Sequence, residues 1–236
     1  MKKYLFPLFL LGCQVPYDFP NMNDVLDDIC KETRNGYLIR KDDTKNYVLV
    51  GADDNLSSTD IAMVDIGLYC LGYQPYDIDI AVTYDNIKDL IQVPAHLFYF
   101  SGHGAHGGIG ASDEFFNLRI DQEKFKAENV IFSACDVMKY PEVVGKTLDA
   151  SVKYVMGYSD MAYDDMDNIV MLDMLKRMRD GHSIPMSFYL ANVLNAWLYD
   201  RWVIYEQTDD GLIEYSARSK NKFVELGVLE FPNIPQ

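Results

Sequence analysis

Phe98-Tyr99-Phe100-Ser101-Gly102-His103-Gly104 and, further on, Val130-Ile131-Phe132-Ser133-Ala134-Cys135 are two apolar runs that each end in a reactive side chain. Each has the length and composition of a strand buried on both faces of a parallel sheet. Catalytic groups in open parallel sheets sit just beyond the carboxyl ends of the strands. If these two strands are neighbours, His103 and Cys135 face one another as base and nucleophile.

The flanking sequence alternates in the way a parallel sheet requires. Residues 46–51 read as a first core strand and Ser57 to Gly72 as a helix, with Ile61, Val64, Leu68 and Leu71 at helical spacing. A second strand is expected at 77–82, and a short helix near 85–92 with Ile87, Leu90 and Ile91 on its apolar face. Beyond the glycine-rich loop, Asp121 is expected to open another short helix. The Cys135 strand, a helix over 141–149 and a strand over 152–157 follow. Two longer helices close the unit. One runs from about Asp167 to Asp180 with Gly181 as its stop; the other starts near Ser183-Ile184-Pro185 and carries Phe188, Ala191, Leu194 and Leu198 on one face. This order predicts a three-layer α/β/α sandwich with a mostly parallel sheet. The predicted domain spans 46–202, preceded by a lead-in over 13–45 and followed by an extension over 203–236 that can add edge strands.

The chain has 236 residues, about half of them hydrophobic, which is enough for one substantial core. Its 36 acidic and 21 basic residues give a formal charge of −15, which repels phosphate backbones and argues against a nucleic-acid partner. The four cysteines, at 13, 30, 70 and 135, show no metal-ligand spacing, so no metal or cofactor is implied. A core of this size does not call for a disulfide framework, and none is expected.

The first residues carry a separate message. Lys2-Lys3 is a basic head, Tyr4 to Leu11 is apolar but too short to span a bilayer, and Leu10-Leu11-Gly12-Cys13 resembles the lipobox of bacterial lipoprotein signals. On that reading residues 1–12 are removed, Cys13 is lipidated, and the protein sits on the cell envelope. An apolar strand or arm packed on the domain is the alternative, and it leaves the protein in the cytoplasm.

Residues 46–200 resemble the caspase-like fold shared by caspases, metacaspases, legumains, clostripain and gingipains. Phe-Tyr-Phe-Ser-Gly-His-Gly is similar to the metacaspase histidine motif, and Phe-Ser-Ala-Cys to the legumain and clostripain cysteine motif. The chain departs from metacaspases at Ser133, where they have an acidic residue, and lacks the longer cysteine signature of caspases. The resemblance implies a cysteine endopeptidase acting on a peptide or protein substrate, with His103 and Cys135 as its dyad. It also implies an oxyanion hole from the backbone amides of Gly104 and Cys135. Gly157-Tyr158-Ser159-Asp160 resembles the metacaspase segment that carries a specificity carboxylate, which makes Asp160 a substrate-binding residue selecting Arg or Lys. In the alternative reading, Asp160, Asp164, Asp165 and Asp167 form a solvated acidic loop.

The chemistry fits these residue types. A thiol needs a neighbouring imidazole to raise its reactivity and to protonate the leaving amine. His106 is read as a loop residue, and His96 and His182 as structural. A catalytically silent domain that binds a peptide or partner protein is the competing function. An acyl-transferring or amidohydrolase enzyme would use the same dyad with a different pocket.

Overall fold

The computed structural model describes residues 22–31, 45–52, 55–105, 107–121, 123–162, 164–195 and 201–216. The chain runs through α1 (Met22–Ile29), β1 (Asn46–Gly51), α2 (Asn55–Cys70), β2 (Gln74–Asp79), α3 (Tyr84–Ile91) and β3 (Leu97–Ser101). A small lobe of β4 (Gly104–Ala105), β5 (Gly108–Gly110) and β6 (Phe115–Asn117) follows. Then come β7 (Asn129–Ser133), α4 (Pro141–Val144), β8 (Tyr154–Tyr158), α5 (Asp164–Arg179), α6 (Ile184–Leu194), β9 (Trp202–Thr208) and β10 (Gly211–Ser216).

The main sheet has seven strands in the order β10-β9-β8-β7-β3-β1-β2. The strands from β2 to β8 are parallel, whereas β9 and β10 add antiparallel at one edge. The period-two alternation of strand side chains divides the core between the two faces. Tyr47, Leu49, Tyr99, Ile131, Met156 and Tyr158 face α2, α5 and α6. Val48, Val50, Phe98, Phe100, Val130, Phe132 and Val155 face α3 and the 107–148 segment. On that second face Phe125 meets Phe98 and Phe132 edge-on at 5.2 and 5.4 Å, contacts worth about 0.5–1.5 kcal/mol each beyond their burial. Helices on both faces make this the three-layer α/β/α sandwich that the strand–helix alternation predicts.

The departures fall where local sequence has least to say. The second strand lies at Gln74–Asp79, not 77–82, because the Gln74 N–H donates to Lys45 O at 2.9 Å and sets the register from its start. As an edge strand it leaves Tyr76 and Ile78 exposed, so burial does not pin its ends. No helix begins at Asp121. Its carboxylate is taken up by the Asn117 N–H, at 2.7 Å, and the Tyr84 hydroxyl, and Phe125 instead pairs along 147–149. The helix expected over 141–149 shrinks to α4 and a 3₁₀ turn over 145–147. α5 stops two residues before Gly181, whose φ of +93° turns the chain out of the helix in the left-handed conformation that glycine favours. Leu194, expected on the inner face of α6, is exposed; Leu198 lies outside the described residues.

One expectation is overturned: Cys30 and Cys70 form a disulfide that fastens α1 to the end of α2. The Arg179 guanidinium ties α1 to α5 through Asp28, at 2.7 Å. The bridge closes a loop of sequence separation 40. Restricting the unfolded chain by a loop of that length stabilises the native state by about 4 kcal/mol in the chain-entropy account. A large core does not need such a staple, but a short helix outside the sheet does, and cysteine spacing alone does not reveal that.

Candidate active site

β3 and β7 are hydrogen-bonded neighbours, parallel and in register from Leu97↔Asn129 to Ser101↔Ser133. His103 and Cys135 each stand two residues beyond that last pair, so both follow the carboxyl ends of adjacent strands. The Gly102 N–H still donates to Ser133 O, at 3.2 Å. Gly102 then turns with φ +147°, where a Cβ would lie 2.5 Å from that of Ala52. At Gly104 the approach is closer. A Cβ there would stand 2.4 Å from the Cys135 carbonyl oxygen and 2.9 Å from Ala134 Cβ. The backbone after His103 therefore lies against the backbone at Cys135, and only a residue without a Cβ fits between.

His103 is exposed, and its carbonyl accepts from the Gly110 N–H at 2.8 Å, which anchors the loop to β5. Cys135 is half-buried and is the one free cysteine among the described residues. Its Sγ accepts from the Ala162 N–H at 3.2 Å and lies 3.5 Å from the Ala162 carbonyl. Asp136 is the one non-glycine among the described residues with positive φ, at 57°. That sharp turn brings its N–H to Asp160 O at 3.1 Å and joins the cysteine loop to the 159–162 loop.

Asp160 is half-exposed and already engaged. It accepts from the Met161 N–H at 2.9 Å and pairs with the Arg201 guanidinium. The Met161 N–H, with the Arg201 charge adding to it, holds this carboxyl below the usual carboxylate range, so it is ionised at neutral pH. The Ser159 N–H and hydroxyl both donate to Arg201 O, at 2.9 and 3.2 Å. Beside this pair lies a cavity of about 140 Å³ bordered by Met138, Pro141, Ser159, Arg201, Trp202 and Glu214.

Other sequence-selected residues lie elsewhere. His96 contacts Glu128 at 2.9 Å at the opposite end of β3, and the His182 N–H donates to Arg177 O just after α5. His106 and Cys13 lie outside the described residues, as does Tyr163. No cluster of acidic, histidine and cysteine side chains fit to hold a metal occurs among the described residues, and no described helix is long and apolar enough to cross a membrane.

Sequence reading missed three side chains beneath or beside the site. Arg201 is one. Asp60, on the inward face of α2, is 4% exposed and accepts from the Ser101 hydroxyl at 2.7 Å. Asp167 is not part of a solvated acidic loop: it is 2% exposed and accepts from the hydroxyls of Ser133 and of Tyr158, the latter at 2.8 Å. Asp60 does carry a signal, since it stands three and four positions before Met63 and Val64, on an otherwise apolar helical face.

No protein-family model matches the chain, and no curated protein matches it by sequence. Among solved structures, the complex of the Porphyromonas gingivalis RgpB pro- and mature domains matches with a TM-score of 0.50 at 12% identity, over 77% of this chain and 52% of that one. The crystal structure of the Arg-specific cysteine proteinase gingipain R (RgpB) matches with a TM-score of 0.49 at 14% identity, over 78% and 51%. The chain thus spans about half the length of each of these structures. The first likeness defines the class of fold, a caspase-like α/β sandwich, and at this identity it defines the fold alone.

Proposed function

We propose that the chain is a caspase-like cysteine endopeptidase in which His103 and Cys135 hydrolyse peptide bonds after Arg or Lys. The observation that supports this most is the register of β3 and β7, whose paired ends Ser101 and Ser133 each precede a reactive residue by two positions, with Gly104 closed against Cys135. In this mechanism His103 takes the thiol proton and Cys135 Sγ attacks the scissile carbonyl carbon. The resulting oxyanion accepts from the Gly104 and Cys135 amides. His103 then donates its proton to the leaving nitrogen, the C–N bond breaks, and a thioester remains. Water, deprotonated by His103, attacks the thioester, releases the acid product and restores the thiol.

Asp160 supplies the specificity in this reading. A substrate Arg or Lys takes over the carboxylate that Arg201 holds in the free protein. A panel of fluorogenic peptides with Arg, Lys, Asp, Asn or Leu before the scissile bond tests this. Hydrolysis is expected after Arg and Lys, with Asp160→Asn lowering kcat/KM by about 100-fold for those and by less than about threefold for Leu. Equal losses for basic and neutral substrates, or a wild-type preference for Asp, would remove Asp160 from this role.

A second reading has its own observation. Cys135 Sγ and the Asp160 carboxylate are both engaged by the protein's own groups, the Ala162 peptide and Arg201, as suits a domain that binds a peptide without cleaving it. Binding of the same peptides with no turnover of any would select it.

We further propose that the protein is exported and anchored through Cys13. The Cys30–Cys70 disulfide supports export, because such bonds persist in oxidising compartments and are rare in the cytosol. In a bacterial host the full chain is expected in the membrane fraction with this bridge oxidised, and Cys13→Ser is expected to release it. A wild type that stays in the cytoplasm with Met1 retained would refute this.

A further inference from the structure

The carboxyl ends of β3 and β7 rest on a buried polar cluster. Ser101 and Ser133 are directly paired, and both lie on the sheet face covered by α2 and α5. The Ser101 hydroxyl donates to Asp60 Oδ2 at 2.7 Å, from α2. The Ser133 hydroxyl donates to Asp167 Oδ2, from α5, and the Tyr158 hydroxyl of β8 donates to Asp167 Oδ1 at 2.8 Å. Tyr99 is wholly buried on the same face of the sheet. Burial, reinforced by the Asp60 and Asp167 charges, keeps that phenol protonated.

This is a costly way to fill a core. Withdrawing a carboxylate from water is unfavourable, and apolar side chains of similar volume often give equal or better stability. Each carboxylate instead holds a defined point of the backbone. Ser101 precedes His103 by two residues, and Ser133 precedes Cys135 by two. We infer that Asp60 and Asp167 are positioning residues: Asp60, through Ser101, fixes the strand end that carries His103, and Asp167, through Ser133, fixes the one that carries Cys135. The inference rests on the peptidase reading for its consequence. A displacement of about 1 Å between reacting groups is enough to lower a rate by about 100-fold.

The test replaces the Cys135 side of the cluster by apolar groups of similar shape, Asp167→Val with Ser133→Ala and Tyr158→Phe. Four quantities are read: kcat and KM on a peptidyl-Arg aminocoumarin, the rate at which iodoacetamide alkylates Cys135, and Tm. The expected result is a Tm close to wild type, KM within about twofold, and kcat lowered by about 10- to 100-fold with alkylation slowed in parallel. Asp167→Asn alone, which keeps the side-chain shape, is expected to show the same split between kcat and KM if the triple variant does not fold. Asp60→Asn is expected to do so through His103. Asp173→Asn, on the same helix but paired outside the cluster with Arg177, should leave all four readings unchanged. Folded variants with wild-type kcat and alkylation, beside an active wild type, would overturn the positioning role and leave the peptidase reading standing. A wild type that cleaves no peptide, but whose Cys135 alkylation falls in the cluster variants, would do the reverse.

Discussion

Cys135→Ala is expected to abolish peptide hydrolysis, and His103→Ala to lower kcat/KM by about 1,000-fold or more, with both variants folded. The magnitude follows from the shared pathway. Without the sulfur no thioester forms, and without the imidazole the thiol is poorly activated and the leaving amine departs unprotonated. Their removal should be non-additive, so the double variant is expected to be no slower than Cys135→Ala alone. His103 is exposed and Cys135 only half-buried, so truncating either should leave the core intact. Cys70→Ala is the informative contrast. It should spare the chemistry but remove the bridge to α1, lowering stability by as much as about 4 kcal/mol. Stability by denaturant melting and turnover on the same preparations separate the two effects. Substantial turnover by Cys135→Ala would sink the peptidase reading.

Gly104→Ala is expected to have the next largest effect. The new methyl would stand 2.4 Å from the Cys135 carbonyl oxygen and 2.7 Å from Val137 Cγ2, and backbone on the cysteine side cannot yield without moving Cys135. The two amides assigned to the oxyanion would then lose their common focus. Loss of one such donor costs about 100- to 1,000-fold in kcat, and Gly104→Ala should reach that range. Relieving the overlap should also cost about 1–3 kcal/mol of stability. Gly110→Ala is the control. Its methyl would meet the His103 carbonyl oxygen at 3.4 Å, an ordinary contact on the same loop. Steady-state kinetics on the pair will show whether the close approach matters or merely the presence of an extra methyl; near-equal kcat/KM for the two variants would contradict the assignment.

What could be read from sequence, and what could not, divides along physical lines. The interior strands β1, β3, β7 and β8 are apolar on both faces, so composition alone comes within a residue or two of their bounds, and Gly181 and Ser183 punctuate the helices that follow. Edge strands carry no such constraint. β2 lies three residues earlier than its alternating Asp77-Ile78-Asp79-Ile80 suggests, because pairing with β1 outweighs a pattern that solvent does not enforce. Asp121 has the chemistry of a helix cap, yet Tyr84 and the Asn117 N–H, distant or backbone partners, claim it for a turn. The positions of His103 and Cys135 could be inferred because each follows a strand that only a buried sheet accommodates. Their surroundings could not. The partner of Asp160 is Arg201, 41 residues on, and the partners of Ser101 and Ser133 come from two different helices. Long-range pairs leave no periodic trace, so an aspartate at 167 reads as one more charge in an acidic stretch although it is buried.

Covalent labelling tests the central claim most directly. The protein is incubated with a peptidyl acyloxymethyl ketone bearing arginine, and the adduct is located by intact mass and peptide mapping. A single adduct on Cys135 is predicted, blocked by excess Arg-containing peptide and lost or strongly slowed in His103→Ala. No adduct at Cys135, or one that forms equally fast without His103, would contradict the account.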